Sequence, residues 1–229
     1  MKIGIICAGD EELAPFLKAI EIKKTTEKAM LKFYEGQLCD HEVVALFCGA
    51  CKVNAAIAAQ IVVDFFKVDV VINAGTAGGI DPQLKIFDTV VSTEVAYHDV
   101  ENEILTEFHP WMKSIYFSAD EKLLNCAKAA TSKIKTKGKI YFGRMVTGEA
   151  FITDDGRQEI IEKFNPLSVD METGSIAHVC YVNKIPFIAI RTVTDTAEHS
   201  GTGTFEENLK ESSEIACEIT QMVLAEMSL

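Results

Sequence analysis

Three features of the sequence predict a single α/β domain, a mixed central β-sheet flanked by helices on both faces. Apolar runs of strand length alternate with amphipathic stretches of helix length over residues 1–229. The links are short, and no Pro/Gly/Ser-rich linker or internal repeat divides the chain. Hydrophobic residues make up 48% and charged residues 24%, which supplies a real core at a length that suits one domain.

The elements follow in order. Residues 2–7 read as a short buried strand, and Ala8-Gly9 makes the turn. From Asp10 to Ile20 the chain is amphipathic, with Leu13, Phe16, Leu17 and Ile20 on one face. Runs 30–38 and 43–49 read as a hairpin about Cys39-Asp40-His41. Residues 52–66 form an apolar helix. Val68 to Ala74 is a strand apolar enough to be buried on both faces, and it ends in Gly75-Thr76-Ala77-Gly78-Gly79. Residues 88–100 form a strand long enough to bend and serve two sheet regions. The stretch 101–117 is irregular and carries Phe108, Pro110 and Trp111. Ser118-Ala-Asp-Glu121 reads as a capping box for a helix to about Ile134. A strand over 139–147 leads into Gly148-Glu149-Ala150-Phe151-Ile152 and a helix to Phe164. Val169-Asp170-Met171-Glu172 is a strand end running into a helix that packs through Ile176, Ala177, Val179 and Cys180. Ile185 to Thr192 is the last buried strand, ending near Asp195. A loop covers 196–203, and Thr204 to Glu207 caps the terminal helix.

Composition excludes several classes. A formal net charge of −12 argues against a nucleic-acid partner, which needs a basic face. Asp10-Glu11-Glu12 arrive too early for a signal peptide, and no apolar run approaches the length of a membrane span. A cytoplasmic protein with no membrane partner is expected. The seven cysteines are scattered through apolar contexts, as buried thiols in a reducing compartment would be. Cys48-Gly49-Ala50-Cys51 has a C-x-x-C spacing but no second pair or nearby histidine, so no metal site is expected there.

Strand ends are where open α/β folds bind ligands. Five of them carry unusual residues: the turn before Glu12, Gly75–Gly79, Phe151-Ile152, Met171-Glu172, and Arg191 to Asp195. Glu172 is either an acid favoured by a helix dipole or an acceptor for a ribose diol. The glycine run matches neither phosphate-binding fingerprint; it is a tight turn, or a cradle of amides for a hydroxyl, water or anion. Asp195 is a helix cap or surface ion pair, or a partly desolvated general acid. Glu12 is a dipole-favoured acid or a general base. Phe151 belongs to the core or stacks on a base. His98, beside Asp99, reads as a hydrogen-bonded structural residue. Three carboxylates with an aromatic suit one reaction in particular. Breaking an N-glycosidic bond needs a proton for the departing base, support for an oxocarbenium-like ribose and an activated water.

Together these motifs resemble the bacterial 5′-methylthioadenosine/S-adenosylhomocysteine nucleosidases of the nucleoside phosphorylase superfamily. The resemblance rests on the opening Lys-Ile-Gly-Ile-Ile with Glu11-Glu12, Val71-Ile-Asn-Ala-Gly-Thr-Ala-Gly-Gly79 and Tyr97-His98-Asp99. It continues through Gly148-Glu-Ala-Phe-Ile152, Val169-Asp-Met-Glu172 with Ile176 to Cys180, and Arg191-Thr-Val-Thr-Asp195. The resemblance implies a nucleoside phosphorylase-like fold and a single nucleosidase domain spanning the chain. Asp195 would protonate N7 of adenine, oriented by Thr194. Glu172 would hold the ribose hydroxyls with Met171 beneath the sugar. Glu12 would deprotonate the attacking water, helped by Thr76 and Arg191, beside the glycine turn with Gly78. Phe151 would stack on adenine, and the backbone of Ile152 would read its edge. It further implies an adenine nucleoside substrate, no metal or cofactor, and a homodimer.

This chain departs from the family pattern at several positions. It has Cys7 where the family has glycine, Gly9 where it has methionine, Ala50 near a usual isoleucine, and Thr76 and Thr194 for serines. The threonines keep the hydroxyl. Gly9 and Ala50 remove bulk near the ribose and 5′ side and leave the 5′ substituent open. Rival readings are a futalosine-type hydrolase, a phosphorylase and a non-catalytic nucleoside binder. Related phosphorylases place arginines where this chain has Asp10 to Glu12 and Val71-Ile72-Asn73, so hydrolysis is expected.

Overall fold

The computed structural model describes residues 1–108, 112–132, 136–153 and 156–227. Strands β1 (Lys2–Cys7), β4 (His41–Phe47), β5 (Val70–Gly79) and β10 (Phe187–Asp195) run parallel in the order β10-β5-β1-β4. β10 is buried along its whole length and β5 along almost all of it, as continuous apolar runs covered on both faces should be. Beyond β4, the antiparallel strands β3 (Leu31–Leu38) and β2 (Glu21–Lys28) complete one end of the sheet.

The other end curls and closes on itself. β6 (Thr89–Tyr97) pairs antiparallel with β10 and parallel with β8 (Ile140–Thr147). β8 pairs parallel with β9 (Ser168–Asp170), which returns antiparallel to β5 at Gly78 and Gly79. Since β5 and β10 are themselves paired, these five strands form a closed ring. The short β7 (Phe117–Ser118) pairs with β6. The expectation of a mixed sheet with helices on both faces holds, and the ring is an addition to it.

Helices α2 (Lys52–Asp64) and α6 (Thr173–Asn183) pack together over one core, which includes Val62, Val71, Ile176 and Cys180. On the opposite face α1 (Asp10–Ala19), α4 (Glu121–Thr131) and α7 (Thr202–Met227) cover a second, with Ile5, Phe16, Ile72, Ile190 and Ile219. Cys7, Cys48, Cys180 and Cys217 are unbridged thiols within these cores. The smaller α5 (Arg157–Phe164) closes a third cluster against β8 and β9. No helix among the described residues is long and apolar enough to cross a membrane.

Several boundaries differ from the sequence reading. Residues 21–28 form a strand that polar composition hid. The 101–117 stretch contains α3 (Asn102–Glu107), while Pro110 and Trp111 lie outside the described residues, as does Ile134. Ser118 belongs to β7; the cap of α4 is Asp120, whose Oδ1 accepts from Lys122 N at 2.9 Å and Leu123 N at 3.1 Å. α7 begins at Thr202, which places Thr204 inside its first turn.

Candidate active site

The ends of β1, β4, β9 and β10, the distal half of β5 and the connection after β8 surround one cavity of about 550 Å³. It brings together residues from all five of the strand ends that the sequence singled out: Glu12, Thr76, Gly78, Phe151, Ile152, Met171, Glu172, Arg191, Thr194 and Asp195.

Glu12 lies in the first turn of α1 and is buried. Its Oε2 accepts from the amides of Ala8 at 2.6 Å and Gly9 at 3.1 Å, closing the start of its own helix. Its Oε1 accepts from Thr76 N at 2.7 Å and from the Thr76 hydroxyl at 2.8 Å. The carboxylate therefore caps α1 and faces the cavity at once. Gly75 is the residue that allows this approach, because a side chain there would collide with the Glu12 carboxylate.

Glu172 is the N-cap of α6, yet its side chain does not cap that helix. Its Oε1 accepts from Cys51 N, the residue preceding α2, at 2.9 Å, so the helix end that favours its charge belongs to a neighbour. Its Oε2 lies 3.4 Å from Arg191 Nη2. Burial pushes the Glu172 pKa up to about 7; Arg191 opposes the rise and Asp170 adds to it. Arg191 is fully enclosed, with Nε 3.4 Å from Asp170 Oδ2. Burial alone would lower its pKa, but Glu12, Asp170 and Glu172 raise it further, and the guanidinium stays charged.

Asp195 ends β10 and is 2% exposed, which replaces the cap and surface-pair readings with a desolvated carboxyl. Thr194 Oγ1 donates to its Oδ1 at 2.9 Å. The strand end is anchored by Asn208 of α7, which donates to Thr194 O at 3.0 Å. Burial pushes the Asp195 pKa up, against smaller opposing effects of Thr194 and Arg157. Phe151 is 38% exposed and is not a core residue; its ring stands edge-on to Phe205 of α7, with centroids 6.3 Å apart. His98 is hydrogen-bonded to backbone, as expected, though its Nε2 has no hydrogen-bond partner among the described residues.

The sequence reading missed the support beneath Glu172. Asp170 Oδ1 accepts from Thr147 Oγ1 at 2.7 Å and from the amides of Glu172 and Thr173. The Thr173 hydroxyl contacts Asp170 Oδ2 and donates to Asn73 Oδ1 at 2.6 Å, while Asn73 Nδ2 donates to Ile6 O at 2.8 Å. The signal was a polar Asn73 inside an apolar strand. Phe47, Phe205 and Leu209 in the wall were also missed, because ordinary apolar residues carry no mark of a site.

Over residues 2–227 the sequence matches the family model described as the Phosphorylase superfamily. It is 38% identical to a 5′-methylthioadenosine/S-adenosylhomocysteine nucleosidase from an Exiguobacterium species over 221 residues, covering 93% of each chain. The nucleosidase of that name from Anoxybacillus flavithermus is 35% identical, with both chains covered in full. Among solved structures, a nucleosidase of that name from Colwellia psychrerythraea, in complex with adenine, superposes with a TM-score of 0.90 at 34% identity. That superposition covers 99% of this chain and 95% of the other.

Proposed function

The chain belongs to the 5′-methylthioadenosine/S-adenosylhomocysteine nucleosidases of the phosphorylase superfamily, and from that premise we propose how its residues divide the chemistry. The enzyme hydrolyses the N-glycosidic bond of 5′-methylthioadenosine and S-adenosylhomocysteine, releasing adenine and the 5′-thioribose. The observation that carries the division of roles is three buried carboxylates, Glu12, Glu172 and Asp195, around one cavity.

Asp195 acts as the general acid. Burial favours its protonated form, and Thr194 orients it toward N7 of the base. Protonation turns adenine into a competent leaving group as the bond to the ribose breaks. Glu172 accepts the 2′- and 3′-hydroxyls of the ribose, with Met171 beneath the sugar. Its firm position, between Cys51 N and Arg191, suits it to stabilise the sugar as positive charge develops there. Glu12 holds and deprotonates the attacking water beside Thr76 and the Gly78 turn, with Arg191 behind it. Phe151 stacks on the base and the backbone of Ile152 reads its edge. No metal or cofactor enters this scheme.

Water, and not phosphate, is the nucleophile in this reading. Arg191 is the single cation among the described residues lining the cavity, which also holds seven carboxylates. Its guanidinium already faces Asp170 and Glu172, so a dianion would meet net repulsion. The reading includes one domain over the whole chain, a cytoplasmic location and a homodimer. Exposed Val53 and Ile57 of α2, Tyr181 and Val182 of α6, and Ile104 of α3 with the adjoining Phe108 support the dimer. The deciding experiment is a chromatographic assay for free base from a panel of nucleosides in phosphate-free buffer. Adenine release from the two named substrates is expected. Release of base from a futalosine alone would overturn the substrate assignment.

A further inference from the structure

Arg157, the first residue of α5, is 7% exposed. Burying a guanidinium is costly unless something nearby needs its charge. Its Nη1 donates to the carbonyl of Gly79 at 2.8 Å, and its Nε has no hydrogen-bond partner among the described residues. Gly79 adjoins Gly78, and Gly78 is the β5 partner of Asp195 in the sheet. A β-carbon on Gly78 would stand 3.3 Å from Asp195 Oδ2. The hydrogen bond to Gly79 therefore fixes a positive charge beside the strand position that faces Asp195. That charge also opposes the effect of burial on the Asp195 carboxyl.

We propose that Arg157 is a positioning residue for the acid step, its guanidinium stabilising the carboxylate left on Asp195 when the proton passes to the leaving base. The proposal rests on the reading of Asp195 as the acid. In that step the Asp195 O–H bond breaks as N7–H forms. The glycosidic bond gives its electron pair to the purine, and one negative charge remains on Asp195. A fixed positive charge stabilises that new charge without reorganising at the moment of reaction. Anchorage on a backbone carbonyl keeps the guanidinium from a bidentate grip on Asp195, which would strip the acid of its proton before substrate arrives. Besides Asp195, the charged groups lining this cavity among the described residues are Glu206 of α7, Asp10, Glu11 and Glu12 of α1, and Asp170, Glu172 and Arg191; Arg157 stands outside the lining. Among them only Arg191 is positive, and it faces Asp170 and Glu172.

The test is the pH dependence of kcat and kcat/KM for adenine release in Arg157→Gln and Arg157→Lys. Gln keeps a donor for Gly79 and removes the charge; Lys keeps the charge. Arg157→Gln should lower kcat by about tenfold or more. It should also move the alkaline limb, where Asp195 loses its proton, to higher pH by about one unit. Arg157→Lys should hold both near wild type. A structural role would lower thermal stability without moving the limb. A Gln variant with wild-type kcat and limb overturns the proposal, as does a Lys variant as impaired as Gln. Adding Arg157→Gln to Asp195→Asn should cost no more than about twofold, because the charge to be stabilised no longer forms. A full further loss there places the action of Arg157 elsewhere and overturns the proposal, while Asp195 remains the acid. Normal turnover in Asp195→Asn alone removes the acid assignment itself.

Discussion

Gly75 and Glu12 meet so closely that a β-carbon on the glycine would lie 2.5 Å from the Glu12 carboxyl carbon. No rotation of a methyl group relieves that contact, and Gly75 also carries a φ of +156° that side chains rarely adopt. Gly75→Ala should displace Glu12 from Thr76 and from the cavity. Turnover should fall by roughly 10²–10⁴, the scale for losing a general base. Steady-state rates beside a melting curve check this; a folded Gly75→Ala enzyme with near-normal turnover would remove Glu12 from the mechanism.

Asp195→Asn keeps the shape and a donor for N7 but has no proton to give. Turnover should drop by roughly 10²–10⁴ while affinity for an unreactive adenine nucleoside changes far less. Single-turnover rates and calorimetric titration separate the two effects. Comparable losses in both would mean that Asp195 binds and does not catalyse.

Glu172→Gln should weaken ribose binding as well as turnover, because one acceptor becomes a donor facing hydroxyls. It should also change how stability depends on pH. A carboxyl whose pKa is higher folded than unfolded binds its proton more tightly in the native state. Its contribution is therefore fully present below the unfolded value of about 4.5 and is lost as pH rises to about 7. The wild type should lose stability relative to Glu172→Gln across that window and hold a constant difference above it. Denaturant titrations at pH 4.5, 6, 7 and 8 give the comparison; parallel curves throughout would contradict the raised value.

The cavity wall is open at Gly9, where an added β-carbon meets nothing within 4 Å, and Ala50 lines the same cavity; the proposed reading makes this the 5′ side. A homocysteine substituent should be accepted as readily as a methylthio group. Gly9→Met, which refills that space, should reduce kcat/KM for S-adenosylhomocysteine more than for 5′-methylthioadenosine. Equal reductions for both would show that Gly9 does not border the 5′ group.

Light scattering at micromolar concentration should give twice the chain mass. Charged substitutions at Val53 and Val182, which are 68% and 44% exposed, should shift it toward the monomer. A fully active monomer in the wild type would end the dimer reading.

The parallel core was legible because β5 and β10 are largely apolar runs, and Asp195 because it interrupts such a run at its end; Glu12 and Glu172 were legible as acids at the strand-to-helix junctions before α1 and α6. β2 was not legible: Glu-Ile-Lys-Lys-Thr-Thr-Glu-Lys has no buried face, and only its pairing with β3 makes it a strand. Arg157 gave no sign because its burial depends on where α5 docks, and nothing local distinguishes it from a solvated arginine in a charged helix. For Glu172 the sequence pointed to the start of the helix that follows it; its side chain instead meets the start of α2, at Cys51, 121 residues away in the chain. Thr204 was a plausible cap in the wrong turn, for Ser and Thr abound between 194 and 204.

The ring of β5, β9, β8, β6 and β10 has a consequence for how this enzyme can change over generations. Thr76, Glu172, Arg191 and Asp195 sit in or against strands that are each hydrogen-bonded on both sides, so shifting one drags its neighbours with it. Gly9, Ala50, Phe151 and Phe205 stand on the connections and helices outside that ring. Substitutions there alter the shape offered to a substrate at little mechanical cost to the reacting groups. The shape of the pocket is thus free to change while the ring-borne groups stay in register, and the two sets of positions should accumulate mutations at different rates.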